Sequence, residues 1–337
     1  MHQIAVLGCG IIGMTTAMRL QERFPGLKIT IITKETSPNT TSDIAAGYWA
    51  PFSLQNTPEG KILRWSSVTY QQLLKWWKEG RAAELGICLL PGSYYTEEKN
   101  FQIPSWLETT LGYEKLPAKC LEHLSRKYGL KLTNGYTFTS FTWESSIALP
   151  RLQKQFIKNG GTIVKREVKS LKELDQFDAI INCTGWGAKV LVGDDKMIPI
   201  RGQVEKIEAP WQFHVKIVDS PRKLGYVIPN TRHCVLGGTA IVTDDTSVNE
   251  EQKLNIRKNC AEIAPSLSNA RTKRYLVGLR PGREEVRLQV QTNVNNKPPI
   301  IIHNYGHGGA GITLSIGCAD EVAELVKDLL GLPASKL

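Results

Sequence analysis

Long apolar runs are missing from this chain. No uninterrupted stretch approaches the roughly 20 residues that a membrane-spanning helix needs. Paired cysteines are missing too. The seven cysteines are an odd number, scattered with no C-x-x-C pair, which argues against a secreted disulfide framework and against a zinc cluster. The thiols read as small reduced hydrophobes, and no metal site is expected. Met1 gives way to an apolar strand within three residues, so no room for a signal peptide is expected. Positive charge is in excess, +10 at pH 7, but Lys and Arg are spread along the chain with no nucleic-acid-binding motif. Neither nucleic acid nor a membrane is expected as a partner, and the charge reads as a basic surface that could steer anionic ligands. What is left, 337 residues with 41% hydrophobic and 22% charged side chains, is the composition of a globular protein long enough for two domains.

The most informative stretch comes first. Ile4-Ala5-Val6-Leu7 reads as a buried strand, Gly8-Cys9-Gly10-Ile11-Ile12-Gly13 follows at once, Met14 to Arg23 reads as a helix, and Lys28 to Thr33 as a second strand. A G-x-G-x-x-G run carries meaning only in this strand, turn, helix, strand order. Gly8 would make the tight turn, Gly10 would let backbone approach a pyrophosphate, and Gly13 would let the helix pack on the strand. The free amides of the helix start would face the phosphates. Glu35, beside Lys34, lies about twenty residues on, where a carboxylate can accept a ribose hydroxyl. A glycine-rich turn without a ligand, and a solvated Glu35, would look the same in sequence.

Thr36 to Asp43 is a polar loop whose hydroxyls could bind phosphate or ribose, and Ala45 to Phe52 is small and then aromatic. Ile62 to Lys78 has helical spacing, with its tryptophans read as core. From Gly86 to Ser140 short strand-like pieces, such as Cys88 to Leu90 and Tyr136 to Thr139, alternate with Pro and Gly, which suggests a second domain rich in antiparallel strands. Pro150 to Asn159 reads as a helix, Thr162 to Lys165 as a strand, and Ala179 to Asn182 as a strand running into Cys183-Thr184-Gly185. Val204 to Gly238 returns to strands, Glu250 to Ala264 is helical, and Ile300 to His303 is a buried strand that opens into a glycine-rich loop and a closing helix from about Leu314. Strands of nucleotide-sheet type thus occur at three separate places. The expected fold is α/β: a discontinuous Rossmann-like nucleotide-binding domain (1–53, 150–192 and 294–332) and an α+β domain with a mainly antiparallel sheet (54–149 and 193–293).

Four stretches carry a family resemblance: Gly8 to Gly13, Ala45 to Phe52, Gly278-Leu279-Arg280-Pro281-Gly282-Arg283, and Ile302 to Gly311. Together they resemble the FAD-dependent D-amino-acid oxidase family, which includes D-aspartate oxidases. The last stretch is the most specific. The resemblance implies non-covalent FAD, a D-amino acid and molecular oxygen as substrates, and an antiparallel sheet covering the flavin. It implies that Arg280 grips the substrate α-carboxylate with two parallel charge-assisted bonds. Tyr226 would support that carboxylate, and the Gly309 carbonyl would accept from the amine. Gly308, Gly309, Gly311, Ile312 and Thr313 would surround the flavin pyrimidine, with Thr313 contributing its hydroxyl. Thr40, Thr41 and Ser42 match a phosphate loop, and Cys183 and Thr184 match flavin contacts. Gly8, Gly10, Ile11, Ile12, Gly13, Lys34, Glu35, Gly47, Val168 and Gly278 complete the expected cofactor set. Nothing matched is an obvious base for the Cα proton. The resemblance therefore implies hydride transfer to flavin N5, with the protein positioning the reactants.

Two departures stand out. Ala50 replaces a glutamine common in D-amino-acid oxidases, where D-aspartate oxidases tend to place histidine. Asp219 to Leu224 lacks the second tyrosine of a vertebrate active-site lid. Arg222 could read an acidic side chain or be a solvated charge. The expected activity is oxidative deamination of neutral D-amino acids. D-aspartate oxidase is the alternative within the family, and a nicotinamide-dependent dehydrogenase or a flavin-binding protein without oxidase activity the alternatives outside it. Residues 333–337 close with Ser335-Lys336-Leu337, the peroxisomal address read by the import receptor. A homodimer is also allowed for.

Overall fold

The computed structural model describes residues 2–291 and 298–333. Its strands gather into two sheets. The first has six strands in the order Arg287–Gln291, Ile300–Tyr305, Ala179–Asn182, Gln3–Leu7, Lys28–Thr33, Thr162–Lys165. All neighbours are parallel except the first pair. A parallel sheet must be covered on both faces, which is why Ile4, Ala5, Val6 and Leu7 are all buried. The three chain segments expected to share a nucleotide-type sheet do so. Arg287–Gln291 joins them as an antiparallel edge strand, although the expected boundary after 293 groups it with the second domain.

Helices Ile11–Arg23 and Gly311–Leu330 lie against each other. Thr15 Oγ1 donates to Ser315 O (3.2 Å), and Arg19 Nε pairs with Asp320 Oδ1 (2.5 Å). Helix Glu59–Lys78 packs against Gly311–Leu330. There Trp65 is buried with its indole N–H on Glu321 Oε2 (2.6 Å). Trp76 meets Trp143 at 5.6 Å, and Trp77 is exposed. None of the three lines the large cavity.

The second sheet has nine strands. Thr272–Gly282, Ile198–Ile207, Cys234–Gly237, Lys223–Pro229, Val215–Ser220, Ile87–Thr96, Asn134–Trp143 and Leu111–Lys115 run side by side. Ile241–Val242 is a short addition to Ile198–Ile207. Pairing is antiparallel except between Ile87–Thr96 and Val215–Ser220.

Two helix starts differ from expectation. The helix expected from Pro150 begins at Ser145 and carries Pro150 inside it. Glu144 O accepts the amides of Ile147 and Ala148, and burial of Ile147, Ala148, Leu149, Leu152 and Phe156 outweighs the one bond a proline forfeits. The closing helix begins at Gly311, three residues before Leu314, because Ala310 O already accepts the Leu314 amide. Among the described residues no helix is long and apolar enough to cross a membrane.

Candidate active site

A cavity of about 1050 Å³ runs from the glycine turn of the first sheet to the face of the second. That is the upper end of small-molecule sites, room for a dinucleotide and a small partner.

At the first end the backbone is built for close approach. Gly8 has φ +96°, and a Cβ there would lie 2.6 Å from Cys183 O. A Cβ on Gly13 would lie 2.0 Å from Gly8 O, so the helix can seat on the turn only with glycine at both positions. Gly10 caps the helix with no side chain, and the first turn carries no acid. Ser42 Oγ, from a distant loop, accepts the Ile11 amide (3.0 Å). The helix start lines the cavity at Ile11 and Ile12, where amides without intrahelical partners suit an anion. Asp43 fixes that loop: it accepts Ser37 Oγ (2.6 Å), Thr40 Oγ1 (2.6 Å) and the Thr40 amide (3.0 Å), forming a capping box. Thr40's hydroxyl proton is thereby committed, and Thr41 and Ser42 have theirs to offer a phosphate. Asp43 is a residue that the sequence reading passed over, although the Thr-x-x-Asp spacing announced it. Lys34, Glu35 and Val168 line the far edge with Arg166 and Lys169. Lys165 at 3.2 Å and Asn39 at 3.4 Å hold Glu35's carboxyl below its usual pKa.

Cys183 and Thr184 sit at the end of Ala179–Asn182. Burial pushes the Cys183 thiol up to about 12, so it is an inert wall. Thr184 N and Oγ1 both donate to Asn182 Oδ1 (3.2 and 2.7 Å). That turns Asn182 Nδ2 toward His303 Nδ1 (3.4 Å), which then accepts, leaving His303 Nε2–H to donate to Gln291 Oε1 (2.9 Å). The buried imidazole is neutral, its pKa lowered to about 4 by burial and by Arg287. His307 lines the cavity, and burial lowers it to about 3. It is a poor base.

The other end is the face of the second sheet. Tyr226 lies across Gly237, where a Cβ would stand 2.1 Å from its ring, and Arg280's guanidinium lies across Gly202, where a Cβ would stand 2.5 Å from Nη1. Two glycines on adjacent strands thus clear a trough that holds both side chains flat. Arg280 Nη1 donates to Thr239 O (3.0 Å). Burial pushes Tyr226's pKa above its usual value against the pull of Arg280, which keeps the phenol protonated. Of the three arginines in this region only Arg280 lines the cavity. Arg283 and Arg287 turn away to Asp194 (3.1 and 3.3 Å), which also accepts Tyr305 Oη (2.7 Å).

Gly308, Gly309, Gly311 and Ile312 line the junction of the two ends with Gly47, Ala50 and Gly278. Phe52 stands over Gly309, and its ring centroid is 6.0 Å from the Arg280 guanidinium carbon. Phe52 carries no expected role of its own, yet it occupies the space between two expected substrate contacts. Three expected contacts are placed elsewhere, the first being Gly13, which packs against Gly8 O and does not line the cavity. Thr313 is buried outside the cavity lining, its hydroxyl bridging the Ala50 amide (3.3 Å) and carbonyl (3.2 Å). It supports the Ala50 loop, because the helix turn carries it away from the cavity. Arg222 is in a hairpin turn, outside the lining, with its guanidinium on Glu97. That bond, with Ser220 and the Lys131 amide, holds Glu97 down at about 2. Arg222 thus stands as a paired loop charge outside the cavity lining.

A family profile described as "FAD dependent oxidoreductase" matches residues 3–325. D-aspartate oxidase of Homo sapiens is 34% identical over 330 residues, covering 97% of this chain and 95% of that protein. D-amino acid oxidase of Dugesia ryukyuensis is 35% identical over 340 residues, covering 98% of each. Among solved structures, glycine oxidase from Geobacillus kaustophilus shares the fold with a TM-score of 0.74 at 17% identity, covering 100% of both chains. The chain belongs to the FAD-dependent oxidoreductase family that includes the D-amino-acid and D-aspartate oxidases. The glycine cradle, the open helix start and the Ser42 loop fit FAD, which is its cofactor.

Proposed function

We propose that the protein oxidatively deaminates neutral D-amino acids, releasing 2-oxo acid, ammonia and hydrogen peroxide. When bound, FAD would supply the acceptor for the hydride that leaves Cα, with molecular oxygen as the final oxidant. The imino acid left behind takes up water and loses ammonia. The chain's own part is positional: Arg280 holds the α-carboxylate, the Tyr226 hydroxyl donates to it, and the Gly309 carbonyl accepts from the amine.

The observation that carries the substrate class is charge. Arg280 is the sole cation among the described residues lining the sheet end. The other lining cations, Lys34, Arg166 and Lys169, follow strands Lys28–Thr33 and Thr162–Lys165 at the opposite edge. The likeness to human D-aspartate oxidase favours the rival reading, but a second carboxylate would find no second cation here. A peroxide assay on the FAD-loaded protein across D- and L-amino acids tests both. Turnover confined to D-aspartate and D-glutamate would reverse the substrate class, and no peroxide from any would remove the function.

We place this activity in the peroxisome. The support is Ser335-Lys336-Leu337, which lies outside the described residues. A fluorescent fusion to the N-terminus should enter peroxisomes and lose them when these three residues are deleted. Unchanged import after the deletion would sink the idea.

A further inference from the structure

The sheet end of the cavity holds an acid that the reaction does not use. Asp219 lines the wall and accepts the Tyr94 hydroxyl (2.9 Å). No cation among the described residues pairs with it. The three basic residues of its own hairpin are taken, Arg222 by Glu97, Lys223 by Glu262 and Lys216 by the Ile263 carbonyl.

Strand register locates this carboxylate relative to Arg280. Val204, Gly237, Tyr226 and Ile217 form one row across four adjacent strands. Two residues along, the next row runs from Gly202, under the Arg280 guanidinium, to Leu224 and Asp219. Three strand spacings of about 4.8 Å each put Gly202 and Asp219 about 14 Å apart. An α-amino acid whose side chain places a cation six bonds from the carboxylate carbon spans roughly 7 Å. With a charge contact at each end, of about 2.8 Å between N and O, it bridges this distance, and a two-carbon side chain does not. Ile217 and Leu224 floor the path for methylenes. Tyr94 stacks with Phe101 (5.5 Å, 27°) and Tyr136 (5.0 Å, 17°) beside Asp219, giving ring faces suited to a guanidinium.

We propose that Asp219, oriented by Tyr94, is a side-chain subsite that selects D-amino acids ending in a cation, of the D-arginine and D-lysine class. This rests on the D-amino-acid oxidase reading above and extends it from neutral side chains to basic ones. The test compares kcat/KM for D-arginine with that for D-citrulline, its uncharged isostere, on the FAD-loaded enzyme. Asp219 is exposed, so the wild type should favour D-arginine by about fivefold, the upper end of one exposed charge pair. Asp219→Asn should bring the ratio close to one, mainly through KM for D-arginine, and Tyr94→Phe should lower it part of the way. A wild-type ratio near one overturns the subsite without recourse to any variant. So does a ratio that survives Asp219→Asn with FAD content intact. Turnover of D-citrulline without preference for D-arginine removes the subsite alone, whereas no peroxide from any D-amino acid removes the oxidase reading with it.

Discussion

Gly202→Ala separates the site from the fold. Gly202 sits mid-strand in Ile198–Ile207 with no left-handed backbone, so alanine fits its conformation. The new Cβ would stand 2.5 Å from Arg280 Nη1 and 2.6 Å from Cζ and Nη2, against ordinary contact at 3.4–4 Å. The guanidinium must therefore lift by about 1 Å, and as the far end of a flexible side chain it can do so at little energetic expense. Its bond to Thr239 O is lost in the process. Stability should hold or rise slightly, within about 1 kcal/mol, because alanine narrows the unfolded ensemble. Catalysis should not be so tolerant: a misplacement of about 1 Å in a positioning group costs up to about a hundredfold. The expected result is a kcat/KM fall of about ten- to a hundredfold on the preferred D-amino acid, with flavin absorbance and melting temperature retained. A kcat/KM within about twofold of wild type would refute the claim that Arg280's seat on Gly202 sets the substrate. So would parallel loss of flavin.

Arg280→Ala should keep FAD while kcat/KM drops by about two orders of magnitude, since a bidentate charge-assisted anchor is removed; equal loss of flavin in absorbance spectra would make Arg280 structural. Ser42→Ala removes the acceptor of the Ile11 amide and should weaken FAD binding by about fivefold, near 1 kcal/mol, in a flavin titration; an unchanged Kd would count against the loop's role. His303 and His307 are held neutral, lowered from 6.5 to about 4 and about 3. Between those values and 6.5 the unfolded chain binds more protons than the fold, so stability is full above about pH 6.5 and falls as pH drops toward 4. His303→Gln should flatten the melting temperature against pH across that window. An equally steep profile in the variant would exclude His303 as a source of the slope.

The first sheet was legible because its strands are unbroken β-branched runs and its glycine turn has a fixed spacing. Only the edge strand Arg287–Gln291 escaped, being half-buried and polar on alternate residues. Pro150 misled because proline is so common a helix start, whereas here Glu144 starts the helix and the buried face carries the proline. At the site, Arg280, Arg283 and Arg287 could be told apart only by the family motif. What separates them physically is Asp194, nearly ninety residues upstream. Arg222 looked available because Glu97, its partner, is 125 residues away in sequence. Tyr94 and Asp219 meet through a parallel strand pair that no local pattern announces. Gly202 and Gly237 read as loose strand glycines until the cross-strand neighbours over them are known.

The pairing of helix Ile11–Arg23 with Gly311–Leu330 also has a consequence for the order of events in the living cell. On the ribosome the glycine turn is made about 300 residues before the helix that covers its back. Thr15, Arg19 and Arg23 wait about 300 positions for Ser315, Asp320 and Glu324. This part of the cofactor site thus waits through the synthesis of those residues with an uncovered apolar flank. Chaperone engagement is therefore expected while this flank waits, and a stop codon just before the closing helix would yield a chain that keeps Tyr226, Arg280 and Gly309 but leaves the glycine turn without its cover.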